Sequence, residues 1–288
     1  MLRDIQLKLL FQRPSNLKKV GFRLTLSSDE SVATVRIPGL CQEADGYRYL
    51  YGIFRIFQTS RQIRPFILRF LKTVARFTLI RGVVEIERAM YDETVPKMPL
   101  EGKLQLGYVG KSSINTIGTL IVPSTGQKLL QAIIQFVCVN TTSRRPVPHP
   151  DWCRGKYANV AVGNESLKVQ RTPRPADTHV FKVSVCWSDT DNYNHINWTT
   201  YVSYCVNYAI HDGIRKAFFK NVNKDVVKRG LRKISVGIGG ENREGNKLTV
   251  HSWESAEDNT TVCCEIENAA GNVVSVAKLR YPSPLAKD

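Results

Sequence analysis

The chain of 288 residues contains no CxxC pair, and its seven cysteines leave one over from any complete pairing. Cys41, Cys138, Cys153, Cys186, Cys205, Cys263 and Cys264 are scattered, several of them inside apolar patterns. This argues against a zinc site and against a disulfide framework, and it favours a reducing compartment. No apolar run reaches the roughly 18–20 residues of a membrane-spanning helix, so no transmembrane segment is expected. Low-complexity tracts are also missing. The start, MLRDIQLKLLFQRPSNLKK, is not a secretory signal, because charges break its apolar stretch. It is basic and loosely amphipathic, as mitochondrial presequences are, but Asp4 counts against one; an N-terminal helix packed on the fold reads as well. The expected location is intracellular, cytoplasmic or mitochondrial.

Acidic residues are scarce in the first part of the chain. Residues 1–174 hold 27 of the 41 Lys+Arg but only 12 of the 25 Asp+Glu, a net +15 out of the total +16. Such asymmetry suits an anionic partner, or simply a solvated basic surface. What is plentiful is apolar residues, 42% of the chain, enough for a core in one large domain or two smaller ones.

Two stretches share one order of expected elements. In the second half, HVFKVSVCW (179–187) alternates as a strand does, and 196–219 places Tyr201, Tyr204, Cys205, Tyr208 and Ala209 at helical spacing. Strands are expected over 231–240, 246–255, 260–268 and 272–281. In the first half, 47–58 reads as a strand and 63–80 as an amphipathic helix, striped by Ile63, Phe66, Ile67, Phe70, Leu71, Val74 and Phe77. Strands follow over 82–91, 102–110, 114–122 and 127–139. Lys103-Leu104 and Lys247-Leu248 coincide at an offset of about 144 residues, which indicates a duplicated domain. The expected organisation is an N-terminal segment 1–46, a first repeat 47–140, a Pro- and Arg-rich surface linker 141–177, and a second repeat 178–288. The fold class is α+β, each copy a curved antiparallel sheet around one central helix.

The chemistry concentrates in SDTDNYNHINWTTY, residues 188–201. It sits between a strand and a helix start, where unpaired N–H groups and a partial positive charge can hold developing negative charge. A carboxylate of Asp189 or Asp191 can activate water or attack an acyl carbon itself. His195 can polarise a carbonyl or share the proton, and Asn197 can place a water. One aspartate capping the helix, with His195 exposed, would also explain much of the stretch as an ordinary turn and cap.

The pattern Asp189-Thr-Asp191-x-x-x-His195-Ile-Asn197-x-x-x-Tyr201 resembles the D-x-D-x-x-G-H-V-N-N-x-x-Y signature of hot-dog-fold thioesterases, among them 4-hydroxybenzoyl-CoA and acyl-ACP thioesterases. The plant acyl-ACP enzymes resemble it in layout as well, with two hot-dog repeats in one chain. The resemblance covers roughly 47–140 and 178–281, with the motif in the second copy alone. It implies two tandem hot-dog repeats and hydrolysis of an acyl-CoA or acyl-carrier-protein thioester. It makes Asp191 general base or nucleophile, His195 and Asn197 its catalytic companions, and the helix N-terminus near His195 the oxyanion site. Asp189, Tyr193 and Asn194 would line the substrate. Arg61 and Arg64 of the first copy would face CoA phosphates or an acidic carrier surface. No cofactor or metal is required, and a homodimer is one assembly the reading admits. Three positions depart from the pattern: Tyr193, Asn194 where glycine is common, and Trp198.

Other signals carry less. GIGG (237–240) follows a strand without a helix after it, so it reads as a bulge or turn rather than a dinucleotide loop. His149 and Cys153 lie in the linker, Cys205 reads as packing, His211 as a helix-end residue and Trp253 as core or tunnel lining. A hydratase-type motif, D-x-N-P-x-H, does not fit the spacing. Two further function classes remain beside hydrolysis: an inactive hot-dog module binding an acyl ligand or a protein, and a basic binder of nucleic acid or membrane surface, for which no convincing nucleic-acid motif exists.

Overall fold

The computed structural model describes residues 23–28, 32–37, 76–95, 98–140, 142–190 and 194–283. The expected strand over 47–58, the expected helix up to residue 75, and Arg61, Arg64, Asp191 and Tyr193 lie outside them. The described strands are β1 (Arg23–Leu26), β2 (Val32–Ile37), β3 (Arg76–Ile86), β4 (Leu100–Val109), β5 (Ser113–Val122), β6 (Gln127–Val139), β7 (His179–Ser184), β8 (Lys233–Ile238), β9 (Lys247–Glu254), β10 (Thr261–Asn268) and β11 (Val273–Arg280). Helix α1 spans Asp151–Tyr157. Helix α2, Trp198–Ser203, continues through a π-helical stretch, Tyr204–Ile210, into α3, His211–Arg215; α4 is Lys224–Lys228. The chain divides into two compact units: Met1–Thr78 with Glu87–Leu167, and Leu79–Ile86 with Lys168–Asp288.

In the first unit the strands run antiparallel in the order β1-β2-β4-β5-β6. The hairpin β1–β2 thus builds a sheet edge out of the segment read as preceding the first repeat. β4 carries a bulge between Leu106 and Tyr108. A Cβ on Gly107 would collide there with Asn115 Oδ1, and the Gly107 carbonyl accepts from Gly163 N at 2.6 Å. Only glycine lets the backbone come that close. The linker runs largely over the surface, as expected, but it is anchored by buried contacts. Cys153 and Tyr157 of α1 bury against Leu106, Val162 N donates to Leu106 O, and Leu167 N donates to the Gln135 side chain.

The second unit orders its antiparallel strands β3-β8-β11-β10-β9-β7. β3 corrects the sequence expectation twice: residues 76–80 are strand rather than the end of a helix, and the strand stops at Ile86, followed by a 3-10 turn over Arg88–Met90. Both periods fit this segment, since Val74 and Phe77 continue a helical stripe while Gly82, Val84 and Ile86 alternate into the core. Backbone pairing of Arg81–Glu85 with Lys233–Gly237 of β8 settles it as strand. The long helix, with Tyr201, Tyr204, Cys205, Ala209 and Ile210 buried, lies on one face of this sheet against β7, β8 and β9. The other face is covered by the second part of the linker. Arg171 Nε and Nη2 reach Glu265 Oε2 at 2.8 and 2.7 Å, and Arg174 Nη1 reaches Glu267 Oε1 at 2.6 Å and lies 3.3 Å from Glu265 Oε1. Hence Thr261–Ile266 of β10 are all buried, where a one-sided sheet would alternate.

Candidate active site

The motif occupies the passage from β7 into α2. Past Ser184 the chain makes a tight turn over Trp187–Asp189, closed by Asp189 N on Cys186 O at 3.0 Å. The Asp189 carboxylate returns the bond: its Oδ2 accepts from Cys186 N at 2.9 Å and from Tyr204 OH at 2.8 Å. Burial, reinforced by the hydrogen bond to Asp189, pushes the Tyr204 phenol far above its usual range, so it stays a neutral donor. Asp189 is therefore a structural carboxylate that pins the turn to the helix. Thr190 and Ile196 form an isolated antiparallel bridge. Asn194 has φ +55°, in the left-handed region. Asparagine tolerates that region better than most other side chains do.

Asn197 caps the helix. Its Oδ1 accepts from Thr199 N at 2.9 Å, from Thr200 N at 3.2 Å and from the Thr199 hydroxyl. Two of the first helical amides are thus occupied, and an oxyanion site at this end has to be built from other groups. The macrodipole still gives the spot a positive potential.

His195 is buried, and its Nε2 stands 3.4 Å from Glu241 Oε2, a carboxylate about one-third exposed. Glu241 is a functional candidate that the sequence reading missed, because GIGGEN carries only a turn signal. In the structure Gly239 and Gly240 follow β8 and both donate to Val274 O, at 2.9 and 3.2 Å. The next residues then run beside the motif. Ile196 N donates to Asn242 O at 2.9 Å, Asn242 Nδ2 donates to Tyr201 OH at 2.8 Å, and Tyr201 OH donates to Gly240 O at 3.3 Å.

The other sequence candidates separate from this place. His211 is exposed on α3. Cys205 is buried, as are Cys138, Cys153, Cys263 and Cys264; Cys186 is exposed, and all six are free thiols. Trp253 is buried in the core of the second unit. His149 is buried, and burial lowers its pKa. Among the described residues no group of three or more His, Cys, Asp or Glu could hold a metal ion, and no helix is long and apolar enough to cross a membrane.

No protein-family model and no curated protein matches the chain. Solved structures do. An acyl-ACP thioesterase from Bacteroides thetaiotaomicron superposes with a TM-score of 0.62 at 14% identity, covering 89% of this chain and 100% of its own. The 12:0-ACP thioesterase from Umbellularia californica superposes with a TM-score of 0.63 at 15% identity, covering 90% and 100%. At such identities the likeness is one of backbone, and it extends over nearly the whole chain. With its antiparallel sheets and the helix that starts at Trp198, the chain has the hot-dog fold.

Proposed function

We propose that the chain is an acyl thioesterase built on tandem hot-dog repeats, hydrolysing an acyl-CoA or acyl-carrier-protein thioester. The observation that carries the reading is the buried His195 at the head of the helix, 3.4 Å from the Glu241 carboxylate, in a chain with the backbone of acyl-ACP thioesterases. Asp191, the second aspartate of the D-x-D-x-x-x-H-x-N motif, is the reacting carboxylate. It takes a proton from water as that water attacks the thioester carbonyl, or attacks the carbonyl itself. The His195 ring, oriented by Glu241 and sitting at the positive end of the helix, donates to the oxyanion. Collapse of the tetrahedral intermediate expels the thiolate of CoA or of the carrier arm, which takes up the proton that Asp191 drew from water; where Asp191 itself attacks, water then hydrolyses the acyl-Asp191 anhydride and supplies that proton. Asp189 and Asn197 act through geometry, the first tying the turn to Tyr204 and the second starting the helix. The basic first part, Arg61 and Arg64 included, supplies charge that suits a phosphorylated cofactor tail or an acidic carrier protein.

The test is thiol release from a panel of acyl-CoA and acyl-carrier-protein thioesters. Asp191→Asn is expected to lower kcat/KM by at least about 10²-fold, and His195→Ala by a similar factor. Wild-type protein that binds acyl thioesters, seen as thermal stabilisation, yet turns none of them over would replace the hydrolase reading with that of an acyl-binding hot-dog module.

A further inference from the structure

We infer that the Tyr201 hydroxyl and the Asn242 carboxamide are positioning residues, a buried clamp that holds the Glu241 carboxylate against His195. The inference rests on the hydrolase reading for its consequence, but its geometry stands independently. Glu241 lies between two residues that meet the same phenol: the carbonyl of Gly240 accepts from Tyr201 OH, and the side-chain amide of Asn242 donates to it. Asn242 also accepts, through its own carbonyl, from the backbone N of Ile196, the residue after His195. Thus the two residues flanking Glu241 are tied to α2 and to the neighbour of His195. On the far side Gly239 and Gly240 are held by Val274 O, so the segment cannot drift along the helix.

Burial separates the clamp from the pair that it holds. Tyr201 and Asn242 are 1% and 3% exposed, whereas the Glu241 side chain is 33% exposed. A carboxylate that open to water gains little from approaching an imidazole and loses side-chain freedom in doing so, which makes the pair too weak to set its own geometry. The clamp is the opposite case. Opening it leaves a carboxamide and a phenol without partners inside the protein, and that desolvation penalty keeps it shut. Burial raises the Tyr201 pKa, in keeping with a phenol that remains a neutral donor. The arrangement therefore places rigidity in buried neutral groups and leaves the ionisable pair at the edge where substrate arrives.

Tyr201→Phe removes the hydroxyl that both flanking residues use. Full-length protein labelled with 15N in its histidine rings has five ring systems, and the His195 signals are identified by their loss in His195→Gln. The expectation is that Tyr201→Phe moves the His195 ring resonances in the same direction as Glu241→Gln does and leaves the other four in place. On an acyl-CoA the same variant should lose about 10- to 100-fold in kcat with KM within about twofold, the signature of a misplaced group rather than of lost binding. Asn242→Ala, which keeps the phenol and removes the amide, should reproduce both effects, and it serves if Tyr201→Phe does not fold. A folded Tyr201→Phe or Asn242→Ala protein with His195 signals at their wild-type positions overturns the inference, and so does an active enzyme in which the signals move and kcat does not. The ring signals need no turnover. If they shift in a protein that hydrolyses nothing, the clamp stands and the hydrolase reading falls.

Discussion

At residue 194 the backbone sits at φ +55° on an exposed position, so the cost of a side chain there is conformational rather than one of packing. Asn194→Gly should be neutral or slightly stabilising, while Asn194→Val should cost about 1–2 kcal/mol, since a β-branched residue in the left-handed region pays the full steric penalty. Urea denaturation of the two variants checks this, and equal stabilities would show that the loop relaxes out of the left-handed region. The contrast also separates what a single residue announces from what it does not. The motif announced a helix cap by its residue types, but it is Asn197 rather than an aspartate that supplies it, through the hydrogen bonds from Thr199 N and Thr200 N. Asp189 gave no local sign that Tyr204, fifteen residues on, would claim its carboxylate. Glu241 was invisible for the same reason: its approach to His195 is set through Asn242, Ile196 and Tyr201, contacts made only after the chain has folded.

Among elements, β4, β5, β6 and β8 to β11 lie within two residues of the ends read from alternation and turn signals, because a strand with one side on a core writes its period into the sequence. The linker runs over the surface as read, but its anchoring was not legible. Proline and arginine in 141–177 speak against regular structure, which holds except for α1, Asp151–Tyr157, but they say nothing about what the chain fastens to. Here Arg171 and Arg174 fasten it over β10, whose Glu265 is completely buried. A charge in that position is tolerated only with its partners. Replacing Arg171 and Arg174 together by alanine should lower stability by about 3 kcal/mol, with each single replacement costing less because the other guanidinium remains. Adding Glu265→Gln to the double variant should recover part of the loss. Denaturant midpoints at constant slope measure this, and a double variant within about 0.5 kcal/mol of wild type would mean that the strap is not held by these pairs.

The whole molecule carries a net charge of +16 at neutral pH, and acid adds to it. Self-repulsion alone would then weaken the fold as pH falls. Specific groups in each unit act in the same direction. His149 in the first unit and His179 in the second are buried, and burial lowers both pKa values from 6.5. Because the unfolded chain binds these protons more readily than the folded one, stability is complete above pH 6.5 and falls as pH drops from there toward the folded values. Asp212 follows at lower pH. Hydrogen bonds from Lys216 and Arg215 hold its carboxyl below the ordinary value of 3.8, so its contribution is present above that value and is lost as pH passes through the depressed one. The expected result is a urea midpoint that drops between pH 7.5 and 5.5. His179→Phe isolates the specific part of that drop, since phenylalanine can take the place beside Phe218 and Phe219 and has no proton to gain. Asp212 keeps Arg215 and Lys216 in that variant. Its midpoint should fall less over the same pH interval than that of the wild type, while the general repulsion, common to both proteins, cancels in the comparison. Equal drops would assign the acid sensitivity to net charge and to His149, and would mean that His179 accepts its proton without leaving its place against Asp212, from which it is 3.2 Å.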